Sequence, residues 1–218
     1  MWLALGGASP AAATTPAERC AAAWPDGIAD PCREAVAENP QDLESWSNLA
    51  RAYWVTGADR AALKALRSIT IVTPDDPQAH YNYGATAGTL RRFDVAVEEM
   101  RRALELKPDF LDAQLVLAIA LEQLGRLDEA IEAKRRAAAL GDDGAMFELT
   151  EAYAAGVTEN VSKAEARAWI ERAANMGHIA AMEWMVEVYR EGLLGEQADP
   201  ARAQEWRWRV RNAREECC

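Results

Sequence analysis

An all-α solenoid of antiparallel helical hairpins is the fold class this sequence predicts, and three observations predict it. Trp46, Leu49, Ala50, Tyr53, Ala62, Leu66 and Pro74 recur 34 residues later as His80, Tyr83, Gly84, Ala87, Ala96, Met100 and Pro108. They return a second time as Gln114, Leu117, Ala118, Leu121, Ala130, Lys134 and Asp142. A fixed period of this length marks a repeated hairpin whose apolar face is buried only by stacking on its neighbours. Beyond residue 144 the period lengthens: Ala145, Met146, Tyr153 and Gly156 return after 36 positions as Ala181, Met182, Tyr189 and Gly192, and Trp169 returns as Trp206. Local punctuation agrees with these registers. Ser162-x-x-Glu165 is a capping box, and Gly141, Gly156, Gly177 and Gly192 stand where helices should stop.

Taken in chain order, residues 1–16 read as a disordered leader or the remnant of a secretory signal. Met1-Trp2-Leu3-Ala4-Leu5 and Ala11-Ala12-Ala13 resemble the end of such a signal, although a positive amino-terminal region and a full apolar core are missing. Residues 17–42 read as a cap hairpin, with helical segments over 17–23 and 31–38 around Trp24-Pro25-Asp26-Gly27. In an oxidising compartment a Cys20–Cys32 disulfide would staple this small hairpin and contribute roughly 3 kcal/mol. In a reducing one the two would remain separate thiols. Pro40 precedes Pro74 by 34 residues, so 31–38 has the register of the second helix of a degenerate earlier repeat. Residues 43–144 hold three repeats of the shorter kind and 145–212 two of the longer kind, the last loosened by Gly195-Glu196-Gln197-Ala198-Asp199-Pro200. Residues 213–218 form a tail ending in Cys217-Cys218, which either bonds within or between chains or is a frayed end.

The 34-residue units resemble the tetratricopeptide repeat. Trp46 and the Leu49, Ala50 and Tyr53 series stand for its first helix, and Ala62, Leu66 and Pro74 for its second helix and stop. The longer units resemble the Sel-one-like repeat through Lys163-Ala164, Trp169, Ala173-Ala174, Gly177-His178 and Ala180-Ala181. The resemblance implies a right-handed superhelical solenoid serving as a protein-interaction scaffold. It also implies a concave groove lined by the first helix of each unit. In this chain the corresponding positions are Glu44, Ser47, Asn48, Arg51 and Trp54; Gln78, Tyr81, Asn82, Ala85 and Gly88; and Asp112, Leu115, Val116, Ile119 and Glu122. Of the Lys, Asn and Arg clamp with which some members hold a carboxylate tail, only Asn82 is present. Leu115, Val116 and Ile119 instead suggest an apolar end to the groove, suited to an extended or helical peptide with an apolar anchor. The competing reading is that some of these side chains pack against a neighbouring helix.

Composition bounds the function. The chain of 218 residues carries a net charge of -11, and residues 141–198 alone hold 11 acidic against 4 basic groups. A phosphate backbone would be repelled, so nucleic acid is not an expected partner. The acidic stretch is read as a solubilising face, with attraction of a basic partner as the alternative. No run of apolar residues is long enough to span a bilayer. The alternation Trp206-Arg207-Trp208-Arg209 invites a membrane-surface reading, but Trp206 is already used as the counterpart of Trp169, and membrane contact is not expected. Arg exceeds Lys by 20 to 4, a bias associated with GC-rich bacterial genomes.

Catalysis finds no motif: there is no phosphate loop, nucleophile elbow or helical metal-ligand pair, so no enzyme, cofactor or metal is expected. His80 takes a core position of its repeat, where a satisfied buried imidazole is expected. His178 sits in a helix-starting turn, and Asp75-Asp76 and Asp142-Asp143 fall where helices begin and serve as caps. The expected function is a non-catalytic scaffold that binds a protein or peptide, extracytoplasmic in the bacterial periplasm or envelope, with the cytoplasm as the alternative. A second reading is an assembly component that forms homo-oligomers through the last repeat and the terminal cysteines.

Overall fold

The computed structural model describes residues 15–23, 28–156 and 161–216. Residues 1–14 of the leader, Trp24 to Gly27, residues 157–160 and Cys217-Cys218 lie outside them, and the leader's last residue, Pro16, begins the first helix. Among the described residues every regular element is a helix: α1 (Pro16–Ala23), α2 (Asp30–Glu38), α3 (Leu43–Val55), α4 (Asp59–Val72), α5 (Pro77–Thr89), α6 (Phe93–Leu106), α7 (Leu111–Gln123), α8 (Leu127–Ala139), α9 (Asp143–Ala154), α10 (Lys163–Asn175), α11 (Ile179–Glu191) and α12 (Pro200–Glu216). The expected segments 17–23 and 31–38 are α1 and α2. Contacts gather into two compact units, Met1–Thr86 and Ala87–Cys218, with the division inside α5.

In the first unit α1 and α2 pack on each other and on α3, and α3 packs on α4. Their core holds Cys20, Cys32, Val36, Leu49, Ala50 and Ala65, with Trp46, Tyr53 and Leu66 half-buried against it. The sulfurs of Cys20 and Cys32 lie 2.06 Å apart, and both residues are fully buried. Asp42 starts α3 by accepting the Ser45 backbone N–H, as a short acidic side chain does at a helix start.

The second unit is a chain of neighbour contacts from α6 to α12, each helix packing on the next. Its largest core cluster is built from Met146, Leu149, Ile170, Met185, Val188 and Trp206. Ala96 and Ala130, which recur one repeat apart and are small enough to let paired helices approach closely, are buried at 0% and 1% exposure. Starts and stops follow side-chain chemistry. Asp142 accepts from Ala145 N at 2.6 Å, Ser162 Oγ from Glu165 N at 3.2 Å, and His178 Nδ1 from Ala181 N at 3.1 Å. Gly192 ends α11 in the left-handed region at φ 72°, where a Cβ would also meet Ala198 N at 3.1 Å.

Candidate functional site

Within the first unit, α3, α4 and the start of α5 enclose a cleft of about 390 Å³. From α3 it is lined by Ser47, Ala50, Arg51 and Trp54, from α4 by Ala62, Leu66 and Ile69, and from α5 by Asn82, Ala85 and Thr86. The helical period explains the grouping. Ser47, Arg51 and Trp54 are spaced by four and three residues and so share one stripe of α3. Trp54 is 50% exposed although it is large and apolar, so its indole is available as contact surface. Gln78 Nε2 donates to Asn82 Oδ1 at 2.9 Å, fixing two polar side chains along α5. Asn48 departs from the groove reading: it is 4% exposed, because it lies 100° further round α3 than Ser47 and turns into the packed interior.

The expected groove positions of α7 belong to the second unit and have mixed surroundings. Ile119 is exposed, whereas Leu115 packs against the large core cluster. Glu122 is committed to an ion pair: Lys134 Nζ lies 2.5 Å from its carboxylate and 2.7 Å from that of Glu148. Burial works against the Lys134 ammonium, but the hydrogen bonds to Glu122 and Glu148 outweigh it and hold its pKa above the ordinary lysine value. The signal for this was in the register, since Lys134 stands where the other two repeats place Leu66 and Met100. A cation at a core position demands carboxylates within reach.

His80 is 8% exposed, and its Nε2 lies 3.0 Å from the Pro74 carbonyl oxygen. One repeat earlier Trp46 Nε1 donates to the Pro40 carbonyl at 3.0 Å. The fourth position of these two repeats therefore closes onto the proline that ends the preceding helix. His178 stacks on Phe147 at 4.9 Å between ring centroids while capping α11. Arg209 lies over the Trp206 ring at 4.4 Å and Arg172 over Trp169 at 5.9 Å, so the two counterpart tryptophans carry the same i, i+3 cation contact. Among the described residues no three His, Cys, Asp or Glu side chains converge as metal ligands, and no helix is long and apolar enough to cross a membrane.

Repeated helical hairpins with a lined cleft define a helical-repeat scaffold for protein interaction. Models of the tetratricopeptide repeat match residues 30–82 and 86–145. Together these cover just over half of the chain, which belongs to the tetratricopeptide-repeat family. The first matched segment begins at α2, in keeping with its register as part of an earlier, degenerate repeat. Superkiller protein 3 of Schizosaccharomyces pombe is 30% identical over 86 residues, which are 39% of this chain and 6% of that protein. The chain thus spans a small fraction of the curated relative it matches. Two solved structures share the fold. The Sel1 repeat protein from Oxalobacter formigenes is 23% identical with a TM-score of 0.54, over 94% of this chain and 91% of that one. YrrB, described as a TPR protein with an unusual peptide-binding site, is 16% identical with a TM-score of 0.56, over 75% and 82%.

Proposed function

We propose that this protein is a non-catalytic scaffold that seats a peptide segment of a partner in the cleft between α3, α4 and α5. The observation carrying the reading is the coincidence of Ser47, Arg51, Trp54, Asn82 and Ala85 in one cleft lining with a half-exposed tryptophan. Leu66 and Ile69 supply apolar wall for an anchor side chain, and Ser47, Arg51 and Asn82 supply polar contacts that fix its orientation. Gln78, hydrogen-bonded to Asn82 on α5, extends the same surface. Peptide binding by YrrB supports the class of ligand. An extracytoplasmic location is favoured by the bonding distance between Cys20 and Cys32, because disulfides persist in oxidising compartments. Self-association through the carboxyl-terminal end is the second reading, favoured by Trp208 on α12, which is 57% exposed.

Panning a random peptide library against the immobilised protein tests the main reading. Peptides selected by the wild type are expected to bind a Trp54→Ala variant at least tenfold more weakly, since truncating a central tryptophan typically costs 2 kcal/mol or more, on the order of thirtyfold. Helicity by circular dichroism should be unchanged. Equal binding by the variant would remove the cleft from the function.

A further inference from the structure

Aligned on their counterpart tryptophans, Trp169 and Trp206, α10 and α12 take the same place in successive repeats. The register holds inside the fold, since Ala166 and Ala203 are both buried, and so are Ala173 and Val210. One stripe differs. On α10 it consists of Arg167, Ile170, Glu171 and Ala174, which share a face at helical spacing. Ile170 and Ala174 are 0% and 1% exposed, and the other two are half-buried. On α12 the same stripe consists of Gln204, Arg207, Trp208 and Arg211, and all four are exposed. A neighbour makes the difference: α10 packs on both α9 and α11, whereas α12 packs on α11. The stripe of α12 is therefore the counterpart of the seat that α11 takes on α10, and among the described residues no helix covers it.

The side chains on this seat do not suit another helix like α11. Ile170 and Ala174 are replaced by Arg207 and Arg211, and an apolar helix laid there would bury two guanidiniums with no carboxylate to meet them. Five arginines stand on α12. Three are matched, Arg202 by Asp199 at 3.7 Å, Arg209 by Glu205 at 3.7 Å and Arg214 by Glu183. Arg207 and Arg211, one turn apart, form no ion pair among the described residues, and Glu215, a turn beyond Arg211, does not reach it. Trp208 stands between them, 57% exposed. Tryptophan and arginine are the residues that most often dominate the energy of an interface. A two-fold self-contact centred on Trp208 would set the guanidiniums of two copies against each other, so the charges favour a different occupant. We infer that the open stripe of α12 is a docking site for an acidic amphipathic helix of a partner, seated as α11 is seated on α10. Carboxylates one turn apart on that helix pair with Arg207 and Arg211, whose planar forks match them, and an apolar side chain between the carboxylates covers the Trp208 indole. The site belongs to the second unit and does not rest on the cleft of the first.

The test is selection of a library of alanine-based helical peptides, randomised along one face, on the immobilised full-length protein, followed by titration of the selected peptides. They are expected to carry Glu or Asp one turn apart beside an apolar residue and to lose affinity as salt is added. Arg207→Gln with Arg211→Gln should weaken their binding roughly tenfold or more, and so should Trp208→Ala. All three side chains are exposed, so the melting temperature should not move. Arg207→Glu with Arg211→Glu should turn the preference of the library towards basic helices, a reversal that a merely structural role would not produce. Peptides taken up by the cleft of the first unit are separated by Trp54→Ala, which should leave binding at α12 unchanged whether or not that cleft takes a peptide. Absence of acidic enrichment, wild-type affinity in the folded Arg207→Gln, Arg211→Gln variant, or an unaltered preference after charge reversal would overturn the site. Self-association in sedimentation velocity that this variant abolishes would overturn it in favour of a second copy. Flotation with phosphatidylserine vesicles that this variant abolishes would overturn it in favour of a membrane surface.

Discussion

In the first unit the fourth residue of each repeat closes onto a proline carbonyl, Trp46 onto Pro40 and His80 onto Pro74, each at 3.0 Å. In the second unit the same position is Gln114, whose buried Oε1 has no hydrogen-bond partner among the described residues. The regions also differ in what links their helices. The first places Cys20 and Cys32 together at its amino-terminal end beside the exposed ion pair of Arg19 with Glu34, while the second joins helices through less exposed cations, Lys134 with Glu122 and Glu148, and Arg135 with Glu165. One repeat register thus supports two chemistries. The sulfur bridge responds to redox conditions and the latches to loss of a single donor, whereas the Lys134 and Arg135 pairs respond to pH. The same difference leaves an acceptor unsatisfied only where the latch has been replaced.

The strongest way to break this comparison is to remove the sulfur bridge. Reductant, or Cys20→Ala with Cys32→Ala, is expected to cost the first unit about 3 kcal/mol. Hydrogen exchange should show lost protection in α1 and α2, with α9 to α11 unchanged. Uniform loss across both units, or none, would mean the cysteines do not hold the cap.

The next effect sharpens the latch. His80→Leu removes the hydrogen bond to the Pro74 carbonyl and is expected to lower stability by about 1 kcal/mol, measured by urea unfolding. Equal stability would show that the bond to Pro74 contributes nothing net. Its contrast with Gln114→Leu, expected to be neutral or stabilising, is the point, since the two substitutions occupy one repeat position and should move stability in opposite senses.

Much of this was legible before any coordinates. The 34- and 36-residue registers placed the helices of both kinds of repeat, because a recurring apolar stripe at helical spacing can be buried only one way. The capping roles of Asp142, Ser162 and His178 were readable for the same local reason. The cleft was half readable. Ser47, Arg51, Trp54 and Asn82, groove positions that the repeat resemblance implies, line the cleft, whereas Asn48 is one residue further round the helix and is buried. Burial at the edge of a stripe depends on the neighbouring helix, which local sequence does not specify. That Lys134 needs carboxylates was signalled by its register, but which ones supply them, Glu122 and Glu148, was hidden because the pairs join different helices through long side chains. The orphan state of Gln114 is a property of its surroundings alone.

The smallest effect concerns pH and the second unit. Arg135 Nε and Nη2 donate to the two carboxylate oxygens of Glu165 at 2.6 and 3.1 Å. That pair holds the Glu165 pKa below the ordinary glutamate value, with burial opposing and the backbone of Ser162 assisting. A carboxyl whose pKa is lower folded than unfolded stabilises the fold above its unfolded value, and that stability is lost as pH falls through the ordinary range near 4.3 and on to the depressed value. Glu165→Gln should therefore cost on the order of 1 kcal/mol at neutral pH and progressively less as pH falls through the depressed value. Lys134 behaves oppositely: its raised pKa keeps its contribution intact below the ordinary lysine value, and that contribution disappears as pH rises through the raised one. Urea midpoints of wild type and Glu165→Gln across acid pH should converge. Parallel curves would show that the Arg135 pair does not couple the second unit to protons.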